Sequence, residues 1–479
     1  MAQKSQRKPF FFIAISILML ASITGCLVSK PPEPESADKC GDGTCGEREN
    51  WKNCPGDCDT PITPPTEPPA VSGESRFGIH VGRIDLKSRI SELGDIYSRI
   101  NIGPDAYGWK IAKGDQASID SCKSCCRELK CENECKGGYI YYCEPGTREG
   151  IVGKDTADGF YADNYEILFS VSPGSYGKRP KDIKDLLSFD YPANVPLYEE
   201  YLATLLEQYP DVTYWEVLNE ADHPQFWGDT PENYVRLFTL TSRVMKSRGP
   251  GCKVGISLTG PDPDDEWFSA IAGVCDEADF LDLHQYHSET MDELREFEDH
   301  GLAAWKQSCP GVEIISTETG IPSEPFVQKG KTWVLGTSES KQAQDSIKYL
   351  TMMFSAGYSK IYYYLFDIDF VPGIPDMFEH NGLLNEDNSE KKAFTTYKLM
   401  IEKLDHFDSI TRLAAGQYKY SFSQKDPAYV LWCDSGTCAV PSEISGTVRV
   451  TDYEGNEETR NANQITLTGS PVFIEPLPG

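Results

Sequence analysis

Two glutamates stand where short apolar runs end, which is where a barrel-type fold can use a carboxylate. Glu220 lies in "VTYWEVLNEADHPQFW" (212–227), a run of β-branched and aromatic residues that stops at Asn219-Glu220. From Glu220 onward come two carboxylates, a His, a Pro and two aromatics, the composition of a loop. Glu318 closes a second such run, "VEIISTETG", 98 residues later. One carboxyl kept protonated by burial or by its partner's charge, beside another kept ionised, is the pair that cleaves a glycosidic bond. Two aspartates sharing one proton would suit peptide hydrolysis, but both members here are glutamates. No metal or cofactor motif stands beside them. On this reading Glu220 closes a rigid strand so that its proton, held by a raised pKa, is aimed at a leaving oxygen.

Each residue also has a plainer reading. An Asn-Glu after a strand is commonly an N-cap with a solvated acid, and only the spacing to Glu318 lifts it above that. The intervening run "DFLDLHQYH" supplies His284, Tyr286 and His287. A lone His284 is most often a satisfied core histidine, and His287 and His80 keep that reading. Tyr286 gains from lying one strand before Glu318. Trp109, Trp227, Trp267 and Trp333 have faces that suit the C–H faces of pyranoses, though core packing explains each as well. Trp227 is counted among the substrate-binding candidates.

The elements that must hold these residues alternate between short strands and amphipathic helices at intervals of about 30 residues, the rhythm of parallel β/α architecture. The strand candidates are "FGIHVG", "YSRINIG", "EILFSVS", "VTYWEVLN", "KVGISL", "DFLDLHQY", "VEIIST" and "KIYYYLF". Thr230 and Pro231 open one predicted helix, which carries Tyr234, Phe238 and Met245 on one face and stops at Gly249. Another, with Ala343, Ile347, Leu350 and Phe354 at helical intervals, ends at Gly357. Eight strands with helices between them predict an α/β fold, a (β/α)8 barrel over 75–408. Its chemistry belongs at the C-terminal strand ends, and the separation of the glutamates equals three β/α units of about 31 to 33 residues, placing them on strands 4 and 7. From 409 to 479 helices give way to short strands joined by Gly, Asn, Asp and Pro turns, predicting a small β-sandwich.

The N-terminus speaks for export. Lys4, Arg7 and Lys8 precede an apolar run from Phe10 to Ala21, followed by "ITGC" at 23–26. This stretch, the signal peptide with its lipobox over 1–26, resembles that of prokaryotic lipoproteins, which makes Cys26 the expected lipidation site and the new N-terminus after cleavage. Residues 27–74 hold Cys40, Cys45, Cys54 and Cys58 and then the Pro-rich linker "DTPITPPTEPPAVSGE". In an oxidising compartment the cysteines read first as disulfides. That favours a disulfide knot over calcium at Asp42, Glu47, Glu49 and Asp57. It also favours three disulfides over zinc among Cys122, Cys125, Cys126, Cys131, Cys135 and Cys143. Cys433 and Cys438 clip a predicted hairpin, and Cys252, Cys275 and Cys309 leave one thiol unpaired. With 45 basic and 74 acidic residues, the net charge of −29 argues against nucleic acid as a partner.

"WEVLNEADHPQFW" and "IISTETG" resemble the acid/base and nucleophile segments of clan A glycoside hydrolases, most nearly families 5 and 39, and the resemblance runs from about residue 75 to the end. It implies Glu220 as acid/base, Glu318 as nucleophile, and Asn219 as the neighbour that hydrogen-bonds a sugar hydroxyl. It also implies Tyr286 and His284 as supports of Glu318 and Arg99 as the basic residue near it, although Arg99 alone reads equally as a structural ion-pair partner. Two departures stand out. Ala221 replaces the usual Pro, and strand 8 offers Tyr363, Tyr364 and Phe366 where many members place a Trp under the sugar. The expectation is a surface-anchored, retaining glycosidase acting on β-linked polysaccharide or oligosaccharide without a cofactor. Its competitors are a non-catalytic sugar-binding lipoprotein and a structural surface protein. A binding protein has no need of both carboxylates.

Overall fold

The computed structural model describes residues 73–81, 86–104, 151–172 and 194–477, apart from interruptions at 153, 164, 225, 250, 261–262, 287–289, 329–330, 334–335, 367–379 and 386. Cys26, the groups Cys40 to Cys58 and Cys122 to Cys143, most of the Pro-rich linker, Trp109 and His287 lie outside the described residues, as does the side chain of Trp333.

Eight parallel strands close into a barrel: β1 (Phe77–His80), β2 (Tyr97–Pro104), β3 (Ile167–Val171), β4 (Tyr214–Val217), β5 (Lys253–Leu258), β6 (Phe280–Leu283), β7 (Glu313–Thr319) and β8 (Lys360–Tyr363). Each pairs with the next, and β1 closes the ring against β8 through Phe77↔Ile361 and Gly78↔Tyr362. All eight fall within or beside the stretches predicted. The predicted β4 and β6 ran too far, because the chain leaves each strand before the residues that carry chemistry. A two-residue strand, Ile151–Val152, pairs antiparallel with the end of β2.

The helices begin and end as their residues require. In α1 (Pro231–Arg248) the Thr230 hydroxyl accepts the Asn233 N–H, Pro231 sits in the first turn, and Tyr234, Phe238 and Met245 are buried against the barrel. In α2 (Glu339–Ala356) Ser338 caps the start and Gly357 ends the helix at φ 113°, a left-handed conformation that glycine adopts without penalty. The last barrel helix is α3 (Lys392–Leu404).

Side chains alternate along strands, so the barrel interior fills in layers. Tyr97, Leu168, Tyr214, Phe280, Ile315 and Tyr362 make one apolar plug. Gly78 and Gly255 complete that layer without side chains, since a Cβ would stand 2.3 Å from the Tyr362 ring or 2.2 Å from the Phe280 ring. Two residues further along the same strands come His80, Arg99, Ser170, Glu216, Ser257, Asp282, Thr317 and Tyr364, all buried. The layer toward the C-terminal mouth is therefore polar or charged at every strand except for the ring of Tyr364. It is the seat of the site.

The C-terminal region is a six-stranded antiparallel sheet of β9 (Ser409–Ala414), β10 (Gln417–Ser421), β11 (Ala428–Leu431), β12 (Thr447–Asp452), β13 (Glu457–Asn461) and β14 (Val472–Pro476), in the order β9-β10-β11-β14-β12-β13. A two-stranded ribbon, Cys438–Ala439 with Thr466–Leu467, backs it as a small second layer. One face, with Tyr429, Leu431, Val448 and Ile474, shares a core with that ribbon. The other face, with Tyr418, Tyr420, Val430 and Phe473, joins the main core of the barrel.

The predicted hairpin disulfide Cys433–Cys438 is formed. Of the three remaining cysteines described, Cys275 and Cys309 are bonded to each other and Cys252 is the free thiol. No helix among the described residues is long and apolar enough to cross a membrane.

Candidate active site

The mouth of β4 is shaped by backbone rather than by loop length. Leu218 and Glu220 both hold positive φ, 67° and 41°, conformations that cost a side-chain-bearing residue about 1–3 kcal/mol each. Hydrogen bonds hold the turn: Leu218 N–H to the Val171 carbonyl at 2.8 Å and Ala221 N–H to the Ser257 carbonyl at 2.9 Å. Glu220 N–H also reaches Ser257 Oγ at 3.3 Å. The turn pins the Glu220 backbone to the neighbouring strand.

Glu318, on the last turn of the pleat in β7, is 8% exposed. Its Oε1 accepts from Arg99 Nη1, and its Oε2 accepts from the Tyr286 hydroxyl at 3.2 Å. His80 Nδ1 and His284 Nδ1 each lie 3.7 Å from its carboxylate. Arg99 is completely buried. Its Nη2 and Nε fork onto Glu216 at 2.6 and 3.2 Å, and Nη2 also donates to Asn219 Oδ1 at 2.6 Å. His284 joins the two halves, with Nδ1 2.8 Å from Glu220 Oε1 and Nε2 2.9 Å from Asp282 Oδ2 and 3.0 Å from Thr317 Oγ1.

Thus Glu220, Glu318, Asn219, His284, Tyr286 and Arg99, all picked from sequence, converge on one mouth. An oxygen of Glu220, an oxygen of Glu318 and a ring nitrogen of His284 lie within 4.8 Å of one another. Three such atoms are close enough to share a metal ion. However, both His284 nitrogens already face carboxylates and Arg99 already holds Glu318, so we assign no metal ligand here.

Trp227 is corrected. It is 2% exposed, its indole N–H donates to the Thr230 carbonyl at 3.1 Å, and its ring meets Tyr234 edge-on. It packs the start of α1, and its face is not open to a sugar. Trp267, 9% exposed and also against Tyr234, serves the same core. Three residues of the site were missed: Glu216, Asp282 and His80. His80 is buried, its ring sits 4.9 Å from that of Tyr364, and its Nδ1 has no hydrogen-bond partner. Each of the three stands two residues after a member of the interior plug, and that period was the signal available.

The electrostatics also correct an expectation. Burial alone would raise Glu220, but the hydrogen bond and charge of His284 outweigh it and hold the carboxyl below its ordinary value. The raised member is Glu318: burial lifts it, with the charge of Glu220 adding, against the pull of His284 and Arg99. Burial pushes Glu216 up to about 7 despite its fork with Arg99. For His284 burial works against the charged ring, yet Asp282 and Glu318 carry it well above its ordinary value. His80 is driven well below its ordinary value by burial and then by Arg99 and His284, so it stays neutral.

No family model matches the chain, and no curated protein matches it. Among solved structures it is similar to a family 39 glycoside hydrolase from the gut symbiont Bacteroides cellulosilyticus WH2, at TM-score 0.56 and 15% identity, over 83% of this chain and 80% of that one. It is also similar to a glucosidase from Croceicoccus marinus, at TM-score 0.52 and 12% identity, over 84% of this chain and 96% of that one. At these identities the likeness establishes the fold, a closed (β/α)8 barrel followed by an antiparallel β region.

Proposed function

We propose that this protein is a retaining glycoside hydrolase that cleaves β-glycosidic bonds in polysaccharides or oligosaccharides. The observation that carries the reading is that one carboxylate oxygen of Glu220 comes within 4.8 Å of one of Glu318 at the barrel mouth, a nearest approach compatible with the carboxyl separation of a retaining pair. Retaining pairs stand about 5–5.5 Å apart, whereas inverting pairs need about 6.5–9.5 Å to admit a water. The reactive form pairs ionised Glu318 with protonated Glu220, the minority arrangement because His284 holds Glu220 low and burial holds Glu318 high. From it Glu318, gripped by Arg99 and Tyr286, attacks the anomeric carbon as Glu220 protonates the leaving oxygen. Esterification removes the Glu318 charge that had favoured a proton on Glu220, and Glu220 becomes the base that activates water. The Oδ1 of Asn219 is taken by Arg99, so its Nδ2 is the atom left for a sugar hydroxyl. Neutral His80, whose Nδ1 lies 3.7 Å from the Glu318 carboxylate, offers a further donor on the β1 side of the site.

The test is hydrolysis of a panel of aryl β-glycosides and polysaccharides, with the first-formed anomer read by NMR. Retention is expected, and a Glu318→Gln protein should be inactive. Glu220→Ala should still glycosylate on activated aryl glycosides, whose leaving groups need no proton. An inverted first product, or ordinary activity in Glu318→Gln, would sink the assignment. We further propose that Cys26 carries lipid and tethers the enzyme at the cell surface. Cys26→Ser should then move the protein from the detergent phase to the aqueous phase. Equal membrane partitioning of the two would refute it.

A further inference from the structure

Asp282 is a fully buried carboxylate that the two-glutamate chemistry does not itself require. It lies within β6, two residues before His284. Its Oδ1 accepts the Thr317 N–H at 2.7 Å, and its Oδ2 accepts the Thr317 hydroxyl at 2.7 Å and lies 2.9 Å from His284 Nε2. Across the ring, Nδ1 lies 2.8 Å from Glu220 Oε1. A neutral imidazole has one N–H and one lone pair, so one of these two carboxylates would face a lone pair. Only the doubly protonated ring donates to both.

We infer that Asp282 is a positioning residue: it holds His284 as an imidazolium, so that the ring presents Glu220 with a fixed Nδ1–H donor and a positive charge. The inference rests on the reading of Glu220 as acid/base. The charged and titratable groups around the ring are Asp282 on its own strand, Glu216 and Glu220 from β4 and its mouth, and Glu318 from β7. Arg99 and His80 complete the set, from β2 and β1. Arg99 opposes the charge on the ring, but it is bonded to Glu216 and Glu318, whereas Asp282 and Glu220 are bonded to the ring itself. Asp282 is held below its ordinary value, against burial, by His284 first. The consequence falls on Glu220. Its Oε1 is fixed by the ring, the carboxylate form needed to activate water is favoured, and its proton is given up more readily in the first half-reaction.

The first experiment is 15N NMR of the full-length, histidine-labelled protein, with His284 assigned by the signal lost in His284→Gln. The chain has 7 histidines, few enough to resolve. Both ring nitrogens of His284 should remain protonated across about pH 5 to 8, where an ordinary histidine titrates. In Asp282→Asn the ring should titrate within that window. The second experiment is the pH profile of kcat/KM on an unactivated glycoside. Loss of a charge adjacent to Glu220 should move the alkaline limb of Asp282→Asn upward by about 1 unit or more. The ring contacts Glu220 directly, so losing its charge outweighs losing that of Asp282. A neutral His284 in the unaltered protein at pH 6 overturns the inference whether or not the variant folds. So does an alkaline limb that stays put or moves down while kcat falls, since Asp282 would then only tie β6 to Thr317. A charged ring in a protein that hydrolyses no glycoside would support the Asp282–His284 pairing and refute the hydrolase reading instead.

Discussion

At the scale of residues, the environment of the proposed nucleophile, Glu318, sets a measurable limit. In the proposed mechanism Glu318 attacks only as a carboxylate, and burial raises its pKa above the ordinary 4.5. On activated aryl glycosides, which need no proton from Glu220, activity is lost as pH falls through that raised value, so the acid limb of kcat/KM on those substrates should lie above 4.5. The Tyr286 hydroxyl donates to the ionised form. Tyr286→Phe should therefore push the acid limb higher still and lower kcat/KM by about 10- to 100-fold, the worth of a hydrogen bond to a charged group. A Tyr286→Phe limb that stays in place would show that the phenol contacts Glu318 without stabilising its charge. The glutamate pair was legible in sequence because each member terminates an apolar run. Glu216 and Asp282 were not, since a charge inside a strand looks like an interruption of the core until the partner strands bring Arg99 and His284 against it. Trp227 misled for the reverse reason: an aromatic in a polar stretch resembles a platform, but here the chain was already turning into α1.

At the scale of elements, the period-2 alternation that builds the barrel also builds the site. Gly255 in β5 leaves room for the Phe280 ring on β6, two residues below Asp282. Gly255→Ala should therefore destabilise the protein by about 1–3 kcal/mol, the usual cost of overpacking a filled core, as read by denaturant unfolding. It should also lower kcat, because β6 carries His284 at its end. Thr230→Ala is the contrasting case. It removes the cap of α1, worth about 1 kcal/mol, while leaving the site geometry and kcat intact. Comparable loss of kcat in the two variants would contradict a layer-specific effect. Strands and capped helices were readable because they depend on local residue types and periodicity. The turn at Leu218 and Glu220 was not readable, because nothing in either residue type announces a positive φ; hydrogen bonds from β3 and β5 impose it.

At the scale of the whole molecule, the change of rhythm near residue 409 suggested a small β-sandwich appended to the barrel. The sheet is there, but its inner face is continuous with the barrel's core. Tyr420 packs edge-on against Phe407, and its hydroxyl lies 3.2 Å from Thr351 Oγ1 on α2. Tyr418 donates to Glu298 at 3.0 Å, and Arg412 pairs with Glu298 and Asp299 at 3.1 and 2.7 Å. On α3, Lys403 reaches Glu475 at 2.8 Å. Composition could not reveal this, because an alternating strand looks the same whether its apolar face meets a second sheet or a helix. The sheet should therefore unfold with the barrel. Calorimetry of the intact protein should give one transition covering both. A chain ending at residue 408 would uncover Phe407 and the outer side of α2, losing apolar burial at about 25 cal/mol per Å² across the interface. It should be insoluble or unfolded, and inactive for that reason. Two separate transitions, or a soluble, active chain ending at 408, would show instead that the barrel is complete without the sheet.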